Sequence, residues 1–168
     1  MILKTLLLLT ILSCNSRSKP TYMQAKKIIG VSTVTTNEDG QSNEDMGKLW
    51  GQFFKLSQQI PNKKSDEIYA IYTDYETDYR GKHTAIVGYE VHSLDIIPIG
   101  LVGREIGGGE YLKILAKGEM PTAVMQAWKE IWKKDKELNR RYTADFEVHG
   151  VKSQNGKEAE VDIFIAVN

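Results

Sequence analysis

Three polar residues stand at alternate positions of one short segment: Asp145, Glu147 and His149. The residues between them, Phe146 and Val148, are apolar. Because successive side chains of a β-strand point to opposite faces, the polar trio shares one face and the apolar pair shares the other. The apolar pair suits a helix-covered core, so we expect the trio on the opposite face of the sheet. That face is either open to solvent or the wall of a cleft.

The chemistry of this polar face depends on its surroundings. A carboxylate between apolar walls is poorly solvated, and a lipophilic cation would stabilise its charge. Aromatic rings would add cation–π attraction of about 1 kcal/mol. The same carboxylate would also suit a hydrolase, as a group that protonates a leaving group or activates water. Binding and catalysis need the same residues, so the sequence does not separate them.

A metal site is the less favoured interpretation of the same trio. Neighbouring same-face residues lie about 7 Å apart along a strand, which is awkward for a single ion. The three consecutive glycines at 107–109 precede a predicted strand rather than a helix, which favours a turn over a phosphate cradle. We therefore expect neither a metal nor a cofactor.

The chain has eight tyrosines and three tryptophans that are available to wall a cleft. Four tyrosines lie on predicted strands and are candidate ligand contacts: Tyr72, Tyr75, Tyr89 and Tyr111. Alternation alone does not say which of them face the cleft. The tryptophans lie on the apolar faces of predicted helices, which favours core packing over ligand contact. They are Trp50, Trp128 and Trp132.

The elements that must position these residues occur twice. Apolar residues at i, i+3, i+4, i+7 and i+8 predict two amphipathic helices. The two sets are Met46, Leu49, Trp50, Phe53, Phe54 and Val124, Ala127, Trp128, Ile131, Trp132. One strand is predicted before each helix (27–35; 111–117) and two after it (67–76 and 83–91; 142–149 and 160–167). We therefore expect an α+β fold of duplicated β-α-β-β units, about 23–98 and 99–168, with an antiparallel sheet, helices on one face and a central ligand cleft.

Composition limits the classes of function. The 168 residues include 22 Lys+Arg and 22 Asp+Glu, for a net charge of zero, and 41% are hydrophobic. Nucleic-acid-binding proteins usually show a clear basic excess, so no nucleic-acid partner is expected. The basic residues at 133–141 are interleaved with acidic ones, which favours a solvated helix end. We expect one domain with a small-molecule partner, and the sequence leaves the oligomeric state open.

The N-terminus is typical of an exported lipoprotein. Lys4 precedes an apolar stretch at 5–12 that is too short to span a bilayer, and polar residues follow Cys14 at once. The order Ile11-Leu12-Ser13-Cys14 resembles a lipobox, in which the peptidase cuts before the cysteine that receives the lipid. We expect a signal peptide at 1–13, a lipid anchor on Cys14, a tether at 14–22 and a periplasmic or outer-membrane-associated location. A plain secretory signal and a buried N-terminal strand are the alternatives.

Six segments, taken in order, resemble the gyrase-inhibitor-like (GyrI-like) effector-binding domain, which also forms the C-terminal part of AraC-type and multidrug-responsive regulators. The segments are Ile28-Ile-Gly-Val, Leu49-Trp-Gly-Gln-Phe-Phe, Ile68-Tyr-Ala-Ile-Tyr-Thr-Asp-Tyr-Glu, Val102-Gly-Arg-Glu-Ile-Gly-Gly-Gly-Glu-Tyr, Ala127-Trp-Lys-Glu-Ile-Trp and Asp145-Phe-Glu-Val. The resemblance covers about 23–168. It implies the duplicated β-α-β-β fold, as two SHS2-like modules, that the repeats already predict.

The resemblance implies that a small lipophilic or cationic molecule binds in the central cleft, with Glu147 as the cleft acid. Family members usually have a tyrosine two residues after this glutamate, where this chain has His149. Some stand-alone members are similar to hydrolases that open strained cyclopropane rings, for which Glu147 would be catalytic. Gyrase-binding relatives make a protein–protein module a third alternative. No helix-turn-helix precedes the domain, so direct regulation of transcription is not expected.

Overall fold

The computed structural model describes residues 19–168. The predicted signal peptide, Cys14 and the tether as far as residue 18 lie outside the described residues. The strands are β1 (Thr21–Met23), β2 (Lys26–Thr35), β3 (Lys63–Thr73), β4 (His83–Val91), β5 (Val102–Ile106), β6 (Gly109–Lys117), β7 (Ala144–His149) and β8 (Glu160–Ala166). The helices are α1 (Gln41–Leu56), α2 (Thr122–Lys133) and the short α3 (Asp135–Leu138). The end of the expected tether, Thr21 and Tyr22, belongs to β1.

The strands form one antiparallel sheet in the order β1-β6-β8-β7-β3-β4-β2-β5. This order confirms the duplication, because β2-α1-β3-β4 and β6-α2-β7-β8 occupy equivalent places on either side of the central pair β3 and β7. The two strands that the sequence patterns did not predict lie at the edges, where β1 pairs with β6 and β5 pairs with β2. Strand β5 directly precedes the glycines at 107–109, for which the sequence predicts a turn. Edge pairing gives the backbone groups of β2 and β6 partners that they would otherwise lack.

The expected α+β fold of duplicated units is confirmed, and its antiparallel sheet curls into a half-barrel. The backbones of β2 and β4 lie unusually close at one place, where a Cβ on Gly30 would lie 2.1 Å from the carbonyl oxygen of Val87. Only glycine fits such an approach without a shift of the backbone.

Both long helices cover the same face of the sheet. Helix α1 buries Leu49 and Phe53 against the first unit, and α2 buries Val124, Trp128 and Ile131 against the second. The face away from the helices has its own core of strand residues. The largest fully buried members of this core are Ile28, Ile71, Ile86 and Phe146. Both faces of the sheet therefore bury apolar side chains.

The expected orientation of β7 is wrong. Phe146 and Val148 pack in the core on the side away from the helices, whereas Glu147 faces α2 and accepts a hydrogen bond from Trp128. The sequence pattern predicts the reverse orientation because an apolar alternate set normally indicates the helix-covered side, and here the opposite side is buried too. Among residues 19–168, no helix combines the length and the apolar character needed to cross a bilayer.

Candidate functional site

A cavity of about 670 Å³ lies between α1 and α2, above the central strands β3 and β7. That volume falls within the range of small-molecule pockets, roughly 300–1,000 Å³. Aromatic and methionine side chains predominate in its lining. They are Met46, Trp50, Tyr72, Tyr75, Tyr79, His83, Met120, Met125, Trp128 and Trp132. The cavity therefore has the apolar wall and the size that suit an organic molecule.

Glu147 forms the polar centre of the cavity, with its side chain only 4% exposed. The Tyr72 hydroxyl and the indole N–H of Trp128 both donate to its Oε1 atom, over 2.8 and 2.7 Å. The imidazole Nε2 of His149 lies 2.7 Å from its Oε2 atom. The tyrosine and tryptophan partners are uncharged, so they hold the carboxylate in place without cancelling its charge. A buried carboxylate of this kind attracts a cationic group.

Two tryptophans at corresponding helix positions wall this carboxylate from both sides. Trp50 of α1 meets the ring of His149 edge-on, with centroids 5.0 Å apart. Trp128 of α2 meets the ring of Tyr72 in the same manner at 5.2 Å. The carboxylate therefore lies among aromatic rings that can attract a ligand cation through their faces.

A stacked aromatic pair closes one end of the cavity. Tyr79, in the loop between β3 and β4, stacks on Trp132 of α2 with centroids 5.5 Å apart and planes 8° from parallel. The side-chain amide of Asn37, just before α1, donates to the carbonyl oxygen of Tyr79 over 2.6 Å. The loop thus bridges the start of α1 and the end of α2.

Two other titratable groups of the cavity, Tyr72 and His83, are held uncharged by burial. Burial, together with the nearby charge of Glu147, raises the pKa of Tyr72 well above its ordinary value, so its hydroxyl remains a donor. Burial lowers the pKa of His83, which favours the neutral imidazole. Lys129 lies on the exposed side of α2 at the rim. Neither Tyr72 nor His83 therefore adds a charge beside Glu147.

Asp145 shares a face with Glu147 but does not line the cavity. Its side chain is fully buried and pairs with Arg140, whose Nη2 lies 2.6 Å from Oδ2. The Tyr75 hydroxyl donates to Oδ2 over 2.7 Å, and the backbone N–H of Ala166 donates to Oδ1 over 2.9 Å. Burial and the charge of Asp145 raise the pKa of Tyr75 well above its ordinary value. Asp145 therefore ties β7 to β8 and orients Tyr75, which does line the cavity.

The structure brings together four of the seven predicted ligand contacts: Tyr72, Tyr75, Glu147 and His149. Asp145, Tyr89 and Tyr111 lie outside the cavity. Tyr89 packs edge-on against Phe53 under α1, with centroids 5.2 Å apart. Tyr111 packs against Phe146 on the side of the sheet away from the helices, at 5.1 Å. Which face each strand presents to the helices decides these outcomes.

Sequence reasoning missed the tryptophans, for which we expected core packing. Trp50 and Trp128 do pack against the cores of their units, but they also line the cavity, as does Trp132. One available signal was their equivalence. Trp50 and Trp128 hold the same place in the two helical repeats, so a pseudo-twofold axis brings both to the cleft between the helices.

Within residues 19–168, no three His, Cys, Asp or Glu side chains are grouped closely enough to hold a metal ion.

A family model, a related sequence and two solved structures are similar to this chain. The model of the family Cass2, described as integron-associated effector binding protein, matches residues 21–167. The YobU protein of Bacillus subtilis (strain 168) is 29% identical over 152 residues, which is 88% of this chain and 95% of that protein. The integron cassette protein VCH_CASS2 of Vibrio cholerae superimposes with a TM-score of 0.69 at 26% identity, over 91% of this chain and 97% of that one. The structure of SAV2435 bound to tetraphenylphosphonium shares the fold, with a TM-score of 0.71 at 17% identity over 90% and 93% of the two chains.

Proposed function

The chain belongs to the Cass2 family of integron-associated effector binding proteins, and on that basis we propose that its cavity binds lipophilic organic cations with Glu147 as the counter-charge. The family establishes the binding of a small-molecule effector. The charge and character of that effector are our proposal.

The observation that carries the proposal is the environment of Glu147. Its carboxylate is buried at the centre of an aromatic cavity, and Tyr72 and Trp128 hold it through uncharged donors. A delocalised cation would satisfy the charge without needing a hydrogen bond, and its apolar surface would replace water along the aromatic walls. The complex of SAV2435 with tetraphenylphosphonium supports this choice, because that protein has the same fold.

The test is the affinity for tetraphenylphosphonium, measured by isothermal titration calorimetry at pH 8. We expect Glu147→Gln to weaken binding by roughly 30-fold or more, since removing one partner of a buried charge pair costs about 2–5 kcal/mol. Glu110→Gln is the matched control, because Glu110 is exposed on β6, outside the cavity, and its affinity should stay near that of the unchanged protein. Equal affinity of Glu147→Gln and the unchanged protein would refute the proposal.

Hydrolysis is the alternative use of the same carboxylate. The test therefore includes incubation with a strained cyclopropane-containing electrophile, followed by mass spectrometry. Turnover that Glu147→Gln abolishes would favour the enzyme, whereas recovery of the intact molecule would favour the binding module. A protein–protein module would bind neither probe.

The N-terminal segment supports a second part of the proposal, which is that Cys14 carries a lipid that anchors the domain to the outer side of a bacterial membrane. The apolar stretch at 5–12, followed by Ser13-Cys14, carries this part. Cys14→Ser should move the protein from the membrane fraction to the soluble fraction after cell lysis. Unchanged fractionation would contradict the anchor while leaving the ligand proposal intact.

A further inference from the structure

We propose that His149 selects the charge class of the ligand, an inference that rests on the proposed cation site. When protonated, His149 takes the place of the ligand cation at Glu147, and the cavity then favours uncharged aromatic molecules. When neutral, it leaves the charge of Glu147 to a cationic ligand. The binding of a cation is therefore coupled to the loss of one proton.

The geometry that carries this inference is the short contact between the two side chains. Nε2 of His149 lies 2.7 Å from Oε2 of Glu147, and the imidazole is 16% exposed, so it can exchange protons with solvent. Trp50 covers the ring edge-on and holds its orientation. Imidazole is the side chain whose charge changes between pH 5 and pH 8. A protonated ring at this distance forms a charge-assisted hydrogen bond that neutralises the carboxylate.

The two states of His149 keep the same hydrogen bond but differ in net charge. With a neutral ring, Nε2–H donates to Glu147 and the pair carries one negative charge. With a protonated ring, the pair carries no net charge, and a cation entering the cavity finds no uncompensated partner. Because the Glu147 side chain is only 4% exposed, this difference acts on the ligand with little screening.

The remaining titratable groups around the cavity do not reproduce this behaviour. The pKa of Tyr72 and that of Tyr75 are raised well above the ordinary value, so both stay neutral below pH 8. Burial lowers the pKa of His83 on β4, so this imidazole gains its proton only at lower pH than an ordinary histidine. Two more titratable side chains line the cavity: Tyr79, in the loop after β3, and Lys129, at the rim on α2. The α1 side chains that line the cavity carry no charge.

The linkage sets the expected pH profile. Where the free protein is protonated at His149, each bound cation displaces one proton, so its dissociation constant rises by up to about tenfold per pH unit as the pH falls. An uncharged ligand of similar shape needs no free carboxylate. Its affinity should therefore stay constant or increase at low pH.

The experiment compares two probes, tetraphenylphosphonium and the uncharged triphenylphosphine oxide, by calorimetry at pH 8.0 and pH 5.5. For the unchanged protein we expect tetraphenylphosphonium to bind at least tenfold more weakly at pH 5.5, and the phosphine oxide to bind at least as well there as at pH 8.0. His149→Gln keeps an amide donor but cannot take up a proton, so its affinity for the cation should differ by less than about threefold between the two pH values. His83→Gln removes the other cavity histidine and should keep the pH dependence, whatever its absolute affinity.

A second measurement needs no variant. Binding enthalpies recorded near pH 6 in two buffers of different ionisation enthalpy give the number of protons released, which should approach one per bound cation. A pH-dependent His149→Gln, or a count near zero in the unchanged protein, would overturn the role of His149. Absence of tetraphenylphosphonium binding at pH 8.0 would instead refute the proposed function itself.

Discussion

Replacing Asp145 with asparagine is expected to destabilise the protein by about 3 kcal/mol, because the change leaves a buried guanidinium without its main counter-charge. The side chains of Asp145 and Arg140 are 0% and 1% exposed. The oxygen of the new asparagine can still accept from the backbone N–H of Ala166. The NH₂ group of the asparagine then faces two other donors, Arg140 Nη2 and the Tyr75 hydroxyl, and cannot accept from either. Broken buried pairs cost about 3–5 kcal/mol, and we expect the lower end because Arg140 keeps its contact with Asp135 at 3.1 Å.

The measurement is urea unfolding followed by tryptophan fluorescence, with a thermal scan beside it. A loss of about 3 kcal/mol should lower the melting temperature by roughly 6–12 °C for a domain of this size. The control is Glu160→Gln, which removes surface ion pairs of Glu160 with Lys152 and Lys117. Such pairs contribute about 0–1 kcal/mol. A loss below 1 kcal/mol in Asp145→Asn, with weaker binding of tetraphenylphosphonium, would show that Asp145 is a ligand contact and that its structural assignment is mistaken.

Two further predictions concern the stability of the cavity. Trp128→Phe keeps an aromatic ring but removes the N–H that donates to Glu147, so its free energy of unfolding in urea should decrease by about 1–3 kcal/mol. The control Trp132→Phe should show a smaller decrease. Equal decreases in the two variants would contradict a stabilising role for this hydrogen bond. Because burial lowers the pKa of His83 from its ordinary 6.5, the unfolded chain binds more protons than the folded one below about pH 6.5. The free energy of unfolding should therefore decrease as the pH falls through this range, and His83→Gln should reduce the decrease. The measurement is urea unfolding at several pH values. The same pH profile in His83→Gln and the unchanged protein would contradict a buried neutral imidazole.

The predicted elements agree with the structure because their patterns are local. The spacing of apolar residues from Met46 to Phe54, and again from Val124 to Trp132, predicts α1 and α2, and alternation predicts the six strands of the duplicated units. The edge strands β1 and β5 are short and have few core-facing residues. Their pairing with β6 and β2 depends on the arrangement of the whole sheet, so neither strand is evident from periodicity.

The candidate site was predicted in part. Glu147 and Tyr72 were named among the ligand contacts, and the structure joins them by a hydrogen bond over 2.8 Å. Tyr89 and Tyr111 were named on the same grounds but face other cores. Strand propensity places a tyrosine on a strand, whereas the register and curl of the whole sheet decide which core it enters.

The amino-acid sequence by itself determined the repeat, the helix faces and the alternation of Asp145, Glu147 and His149, because these depend on residue types a few positions apart. Only the tertiary structure decided the direction of that alternation and the role of each carboxylate. Arg140 reaches Asp145 and neutralises it. Glu147 instead meets the uncharged donors of Tyr72 and Trp128, which come from other elements, and the imidazole of His149 on its own strand. Two acids with the same local pattern thus lie in different surroundings, because the partners of a buried group depend on what the fold packs against it.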